Sequence, residues 1–98
     1  MCHHIIHQAT QRMEGLRTTV ERLAEWRGNP DCEAQRSELE RALDRVRGNR
    51  NRALARLEAV RLAEDDSWVF SRSHADQAIA TFCQSVDEVE SHLHRAAA

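Results

Sequence analysis

Apolar residues recur along this chain in steps of three and four, the spacing that aligns one face of an α-helix. Ile6, Ala9, Met13, Leu16, Val20 and Leu23 form a first seam. Leu39, Leu43, Val46, Ala53, Leu57 and Val60 form a second, and Ala75, Ile79, Phe82, Val86, Val89 and Leu93 a third. The residues between the seams agree. Gly28 suits the left-handed position after a helix, and Asn29-Pro30 suits the cap and first position of the next. Acids at Glu64, Asp65 and Asp66 are disfavoured at a helix C-terminus, so the second helix should stop there. Ser73 and Asp76 have capping-box spacing, with Asp in place of Glu or Gln. The pattern predicts helices at about 4–26, 30–65 and 74–95 in a single helical domain, 1–98.

The expected fold class is all-α, an antiparallel three-helix bundle with a long central helix. Its seam passes through Gly48-Asn49 without a slip, and a glycine inside a helix costs only ~1 kcal/mol against alanine. A break near 48–51, giving four helices, is the alternative. Arg50 falls within the apolar arc and must reach an acid or water, because an unpaired buried charge is costly. At ~1.5 Å per residue the helices measure about 35, 53 and 33 Å, so the outer two overlap over the middle of the central one. Each end of the central helix is then covered on one side only. A second copy could cover those ends, and the expected state is a homodimer or a tight complex with another protein.

Composition narrows this further. Aromatic residues make up 4% of the chain, so the core is aliphatic, and 3 Gly with 1 Pro are too few for a turn-rich β fold. Sixteen acids against fourteen bases leave a net charge of -2, which counts against a general nucleic-acid binder. Every base is arginine, as in proteins of GC-rich bacterial genomes. No apolar run reaches the ~20 residues a membrane span needs. No signal-peptide pattern is present. Cys2, Cys32 and Cys83 are odd in number and contain no CxxC, which fits a reducing cytoplasm.

Candidate chemistry begins at MCHHIIH. His3 and His7, or His4 and His7, have the spacing of a helical metal chelate. At about 100° per residue the histidines turn away from Ile5 and Ile6, and Cys2 falls near the apolar side. Cys2, His3, His4 and His7 therefore do not converge on one helix. His92 and His94 would lie roughly 10–15 Å away along the bundle. The reading is no metal site, with a metal-responsive protein using these four residues as an alternative. The isoleucines interrupt the histidines and continue the seam, unlike a purification tag. Cys83 reads as a small buried apolar residue, at a height similar to that of Cys2.

Glu14-Gly15 followed by Asp31-Cys32-Glu33 resembles the small all-helical metal- and formaldehyde-sensing repressors over about twenty residues. Those families place further His and Cys on the following helix, where this chain has Leu and Arg, so no ligand set carries over. Trp26-Arg27-Gly28 resembles the turn of the WXG-type small secreted helical proteins. Here the motif lies early, a third helix follows and there is no Tyr; Trp26 reads more simply as a cap on the core.

Two features point towards a partner. Between residues 41 and 61 seven arginines face only Asp44 and Glu58, and Arg41, Arg45, Arg52 and Arg56 share one helix face. Such a stripe can dock an acidic protein, track phosphates, or pair internally with Glu14, Glu21, Asp87, Glu88 and Glu90. Trp68-Val69-Phe70 places two of the four aromatics in the segment before helix 3. They are expected either to fold back over the end of the bundle or to anchor an interface. No phosphate loop, nucleophile elbow or HExxH occurs. Asp65-Asp66 and Asp87-Glu88 lack the ExxE pattern of metal-dependent all-α hydrolases. The expectation is a cytoplasmic, non-enzymatic regulatory or adaptor protein without a cofactor. A transcription-factor antagonist or secretion chaperone fits, binding its partner through Trp68, Phe70 and the face of Arg41, Arg45, Arg52 and Arg56. A nucleic-acid binder using that arginine face is the further alternative.

Overall fold

The computed structural model describes the backbone of residues 2–23 and 30–97, and the side chains of 3–22 and 34–93. It is an antiparallel bundle of three helices: α1 (Cys2–Leu23), α2 (Pro30–Leu62) and α3 (Trp68–Ala97). The expected turn at 28–29, Trp26, and the side chains of Cys2, Cys32 and His94 lie outside the described residues. With principal extents of 58 × 19 × 17 Å, the molecule is a rod. Its radius of gyration is 16.2 Å, against about 13 Å for a compact chain of this length.

Apart from Leu23, whose side chain lies outside the described residues, the three seams make the core. Ile6, Ala9, Met13, Leu16 and Val20 from α1 meet Leu39, Leu43, Val46 and Ala53 from α2. Ala75, Ile79, Phe82, Val86, Val89 and Leu93 complete it from α3, and Leu57 and Val60 are half-buried. Among the described residues no charged or polar residue is buried outright. Helix α2 runs unbroken through Gly48-Asn49, so the four-helix alternative is excluded. A methyl group at Gly48 would meet nothing within 4 Å, which places this glycine in an open, ordinary helical position. Arg50 is half-buried and donates from Nη2 to Asn51 Oδ1 at 3.2 Å, an amide and not an acid.

The start of α3 differs from the sequence expectation. The helix begins at Trp68, six residues before the expected 74, so Trp68-Val69-Phe70 belongs to its first turn and not to a linker. The Ser71 N–H donates to the Ser67 carbonyl at 2.9 Å, which makes Ser67 the cap position. Ser67 also ties back through its N–H and Oγ, which donate to the Glu64 carbonyl at 3.0 and 3.2 Å. Asp65 and Asp66 thus precede a helix N-terminus, where the dipole favours acids. The expected capping box is an interior turn, in which Asp76 accepts from Arg72 Nε at 3.3 Å. Helix α2 correspondingly ends at Leu62, where the Ala63 N–H closes a tighter turn onto Val60 O at 3.3 Å.

This longer α3 changes how the lengths fit. With 33 and 30 residues, α2 and α3 are ~50 and ~45 Å long and pair along nearly their whole length. Only α1 is short, with 22 residues and ~33 Å. Its height is marked by Arg12, which meets Asp87 and Glu90 of α3. Ten residues earlier, the start of α1 is level with about residue 78 of α3. The end of the α2–α3 hairpin therefore projects about 15 Å beyond α1 as a two-helix arm. The expectation that α3 also leaves an end of α2 uncovered is corrected by its early start.

Candidate functional site

The projecting end carries the largest exposed apolar group among the described residues. Leu62 and Phe70 are each 67% exposed, Val69 73% and Trp68 44%. They sit there because α1 has run out. The hairpin turn brings the last turn of α2 beside the first turn of α3, and no third helix reaches that height. The aromatic side chains do not fold over the bundle end, so that expectation is overturned. Trp68 instead lies under the Arg72 guanidinium, 5.9 Å from ring centre to Cζ. The Phe70 ring rests at 4.3 Å and 40° against His74. Both contacts are local to α3, and they prop the rings outward instead of burying them.

Along α2, Arg41, Arg45, Arg52 and Arg56 are all exposed, as their shared face implied. Arg41 Nε donates to the Ser37 carbonyl at 3.4 Å and Arg52 Nη1 to Asn49 Oδ1 at 3.2 Å. Among the described residues none of the four meets a carboxylate. Three of the five acids expected to neutralise them are engaged elsewhere, Glu14 with Arg17, and Asp87 with Glu90 on Arg12, while Glu21 and Glu88 lie exposed. Arg47 and Arg61 pair within their own helix, with Asp44 and Glu58. The Arg61 hydrogen bonds hold the Glu58 carboxyl below its usual range, helped by the field of His3.

Arg45 also lines an open groove of about 640 Å³ between α2 and α3. Glu38, Leu39, Ala42 and Asn49 share its α2 wall; Thr81, Ser85, Glu88 and His92 mark its α3 wall. Sequence reasoning missed this groove. Finding it requires knowing on which side of the hairpin α1 settles, and the three seams do not encode that choice.

The Arg12 bridge was also missed. Nε and Nη2 of Arg12 donate to the two Glu90 carboxylate oxygens at 2.8 Å each, and Nη2 donates to Asp87 as well. These hydrogen bonds, Glu90 first, raise the guanidinium pKa above its ordinary value. Close by, Cys83 is half-buried against the core. It lines a shallow depression with Ile5, Gln8, Ala9, Gln11 and Arg12. Burial pushes its thiol pKa up, so at neutral pH it stays protonated and a weak nucleophile.

His3, His4 and His7 are exposed on α1. Among the described residues no three His, Cys, Asp or Glu side chains are grouped to hold a metal ion, and no helix is long and apolar enough to cross a membrane. Comparison of the chain with protein-family models, with curated proteins and with solved structures finds no match.

Proposed function

We propose that this chain is a small non-enzymatic regulatory or adaptor protein that binds another protein and sequesters or positions it. The observation that carries this reading is the exposed cluster of Leu62, Trp68, Val69 and Phe70 at the tip of an arm that α1 leaves bare. Exposed large apolar groups cost solubility, and tryptophan with phenylalanine on a stiff element is the usual make-up of an interface anchor. The partner's chemistry follows from the neighbourhood. Trp68 and Phe70 lie about 160° apart around α3, so the partner offers apolar surface on both sides of the tip, and acidic surface alongside α2, where Arg41, Arg45, Arg52 and Arg56 meet no carboxylate among the described residues. A transcription-factor antagonist or a secretion chaperone works in this way, by occupying a helical surface of its client.

The test is affinity capture from the source cell, followed by calorimetry with the purified partner and Trp68→Ala/Phe70→Ala. Loss of an anchor costs ~2–4 kcal/mol, or at least about thirtyfold in affinity. Unchanged affinity with unchanged helicity would remove the tip from the interface.

A further inference from the structure

The groove opposite α1 has two unlike walls, and their residues lie in matched rungs. Because α2 ends at Leu62 and α3 starts at Trp68, residues whose numbers add to about 130 lie at one height. Applied to the residues that line the groove, this rule sets Glu38 level with His92, Ala42 with Glu88, Arg45 with Ser85, and Asn49 with Thr81. At about 100° per residue the same faces run on to Arg52, Arg56 and Val60 of α2 and to Ala78, His74 and Phe70 of α3. The floor is made of small residues, with half-buried Ala42, Ala78 and Ser85. Such a floor lets another helix pair approach closely. In bundle terms, α1 fills one side of the hairpin and the other side is open.

We propose that this groove is occupied by a second copy of the chain, related by a twofold axis running along the groove. Rotation about that axis keeps every residue at its own height and exchanges the walls, so each α2 faces the partner's α3. Glu38 then faces the partner's His92, and Arg45 faces the partner's Glu88 within the reach of an arginine side chain. Each pairing occurs twice. Val60 similarly meets the partner's Phe70 near the tip. All four helices have antiparallel neighbours, which suits their dipoles. A twofold axis across the helices would instead lay α2 on α2, setting Arg41, Arg45, Arg52 and Arg56 against themselves. Charge therefore selects the first arrangement.

The argument for a second copy over an unrelated helix is this self-complementarity, since any other occupant needs an acidic and a basic flank at the same heights. The face is large enough. A hairpin ~45 Å long on a rod 19 Å across offers on the order of 800 Å² per copy, the size of a standard interface. Trp68 and Val69 point to other sides of α3, so the dimer leaves them free as the anchor for a further partner, while Phe70 and Arg45 pass into the dimer face.

Sedimentation equilibrium of the full chain tests the proposal, with helicity followed by circular dichroism. A reversible dimer is expected. Arg45→Glu and Glu88→Arg should each weaken it about tenfold. Their combination in one chain should restore it. Trp68→Ala should leave it unchanged, which separates failure of the dimer from failure of the tip as partner anchor. A wild-type chain that is monomeric at about 100 μM, or an Arg45→Glu chain that dimerises more tightly, overturns the proposal. So does failure of the combined variant to recover.

Discussion

The two ends of this rod are built from different materials. Where α1 packs on the hairpin, Phe82, Leu39, Val46 and Val86 of the hairpin and Met13 and Val20 of α1 are buried, each with almost no exposed surface. Towards the tip, the residues that remain fully buried are Ala53 and Ala75, backed by half-buried Leu57 and Val60. Alanine brings two helices close but contributes little apolar surface, so the arm is held by pairing and the body by volume. The large apolar side chains at the tip, Leu62, Trp68, Val69 and Phe70, face water. One end of the molecule spends its apolar residues on stability, and the other displays them.

That contrast can be broken most sharply at Phe82. Phe82→Ala removes the largest fully buried side chain and should cost ~3–5 kcal/mol, a large share of the stability of a domain of this size, read as a fall in the urea midpoint. Gly48→Ala probes the continuous helix that joins the two ends. Its methyl group enters open space in an unbroken helix, so the variant should gain ~1 kcal/mol. A loss would mean that the glycine serves a bend. Arg12→Gln cuts the bridge between α1 and α3. Its side chain is 41% exposed, as is that of Glu90, so after screening the loss should be only ~0.5–1 kcal/mol. Val69→Ser at the tip should change stability by less than about 0.5 kcal/mol, while removing part of the displayed surface.

The smallest effect is electrostatic and belongs to the arm. Arg61 holds the folded Glu58 carboxyl below its ordinary range. The pair's contribution is therefore present above the unfolded carboxylate value and fades as pH falls through the lower folded one. Glu58→Gln should lower the urea midpoint slightly at neutral pH and match the wild type in acid, so that this part of the pH dependence disappears when urea midpoints are titrated.

How much of this was legible in the sequence differs by element. Each core residue of α1 and α3 named above could be read from spacing, because a helix with one buried face has only one periodic solution. Continuity through Gly48 was readable for the same reason, since a break would have shifted the seam. The start of α3 was not. Glu64-Asp65-Asp66-Ser67 serves as the stop of one helix and the lead-in to the next, and aromatic residues displayed to water carry no apolar period. Trp68-Val69-Phe70 therefore read as linker when it is helix. The arginine face was visible as a stripe, but its partner wall was not, because Glu88 and His92 are brought opposite it only by the hairpin. Arg12 gave no sign at all, being one exposed arginine among fourteen.

The unbroken α2 has a mechanical consequence. A helix of 33 residues without a proline after its first position or a register slip is a stiff strut, and α3 splints it along most of its length. A body seated on the tip is consequently held at a set reach from anything seated near the opposite end, in a molecule 58 Å long. That reach is written in residue count: inserting one heptad in α2 and one in α3 at matched heights would push the tip outward by about 10 Å and leave the faces at both ends in phase. In this sense the chain is a ruler as well as a surface, and the missing hinge at Gly48 keeps its length constant.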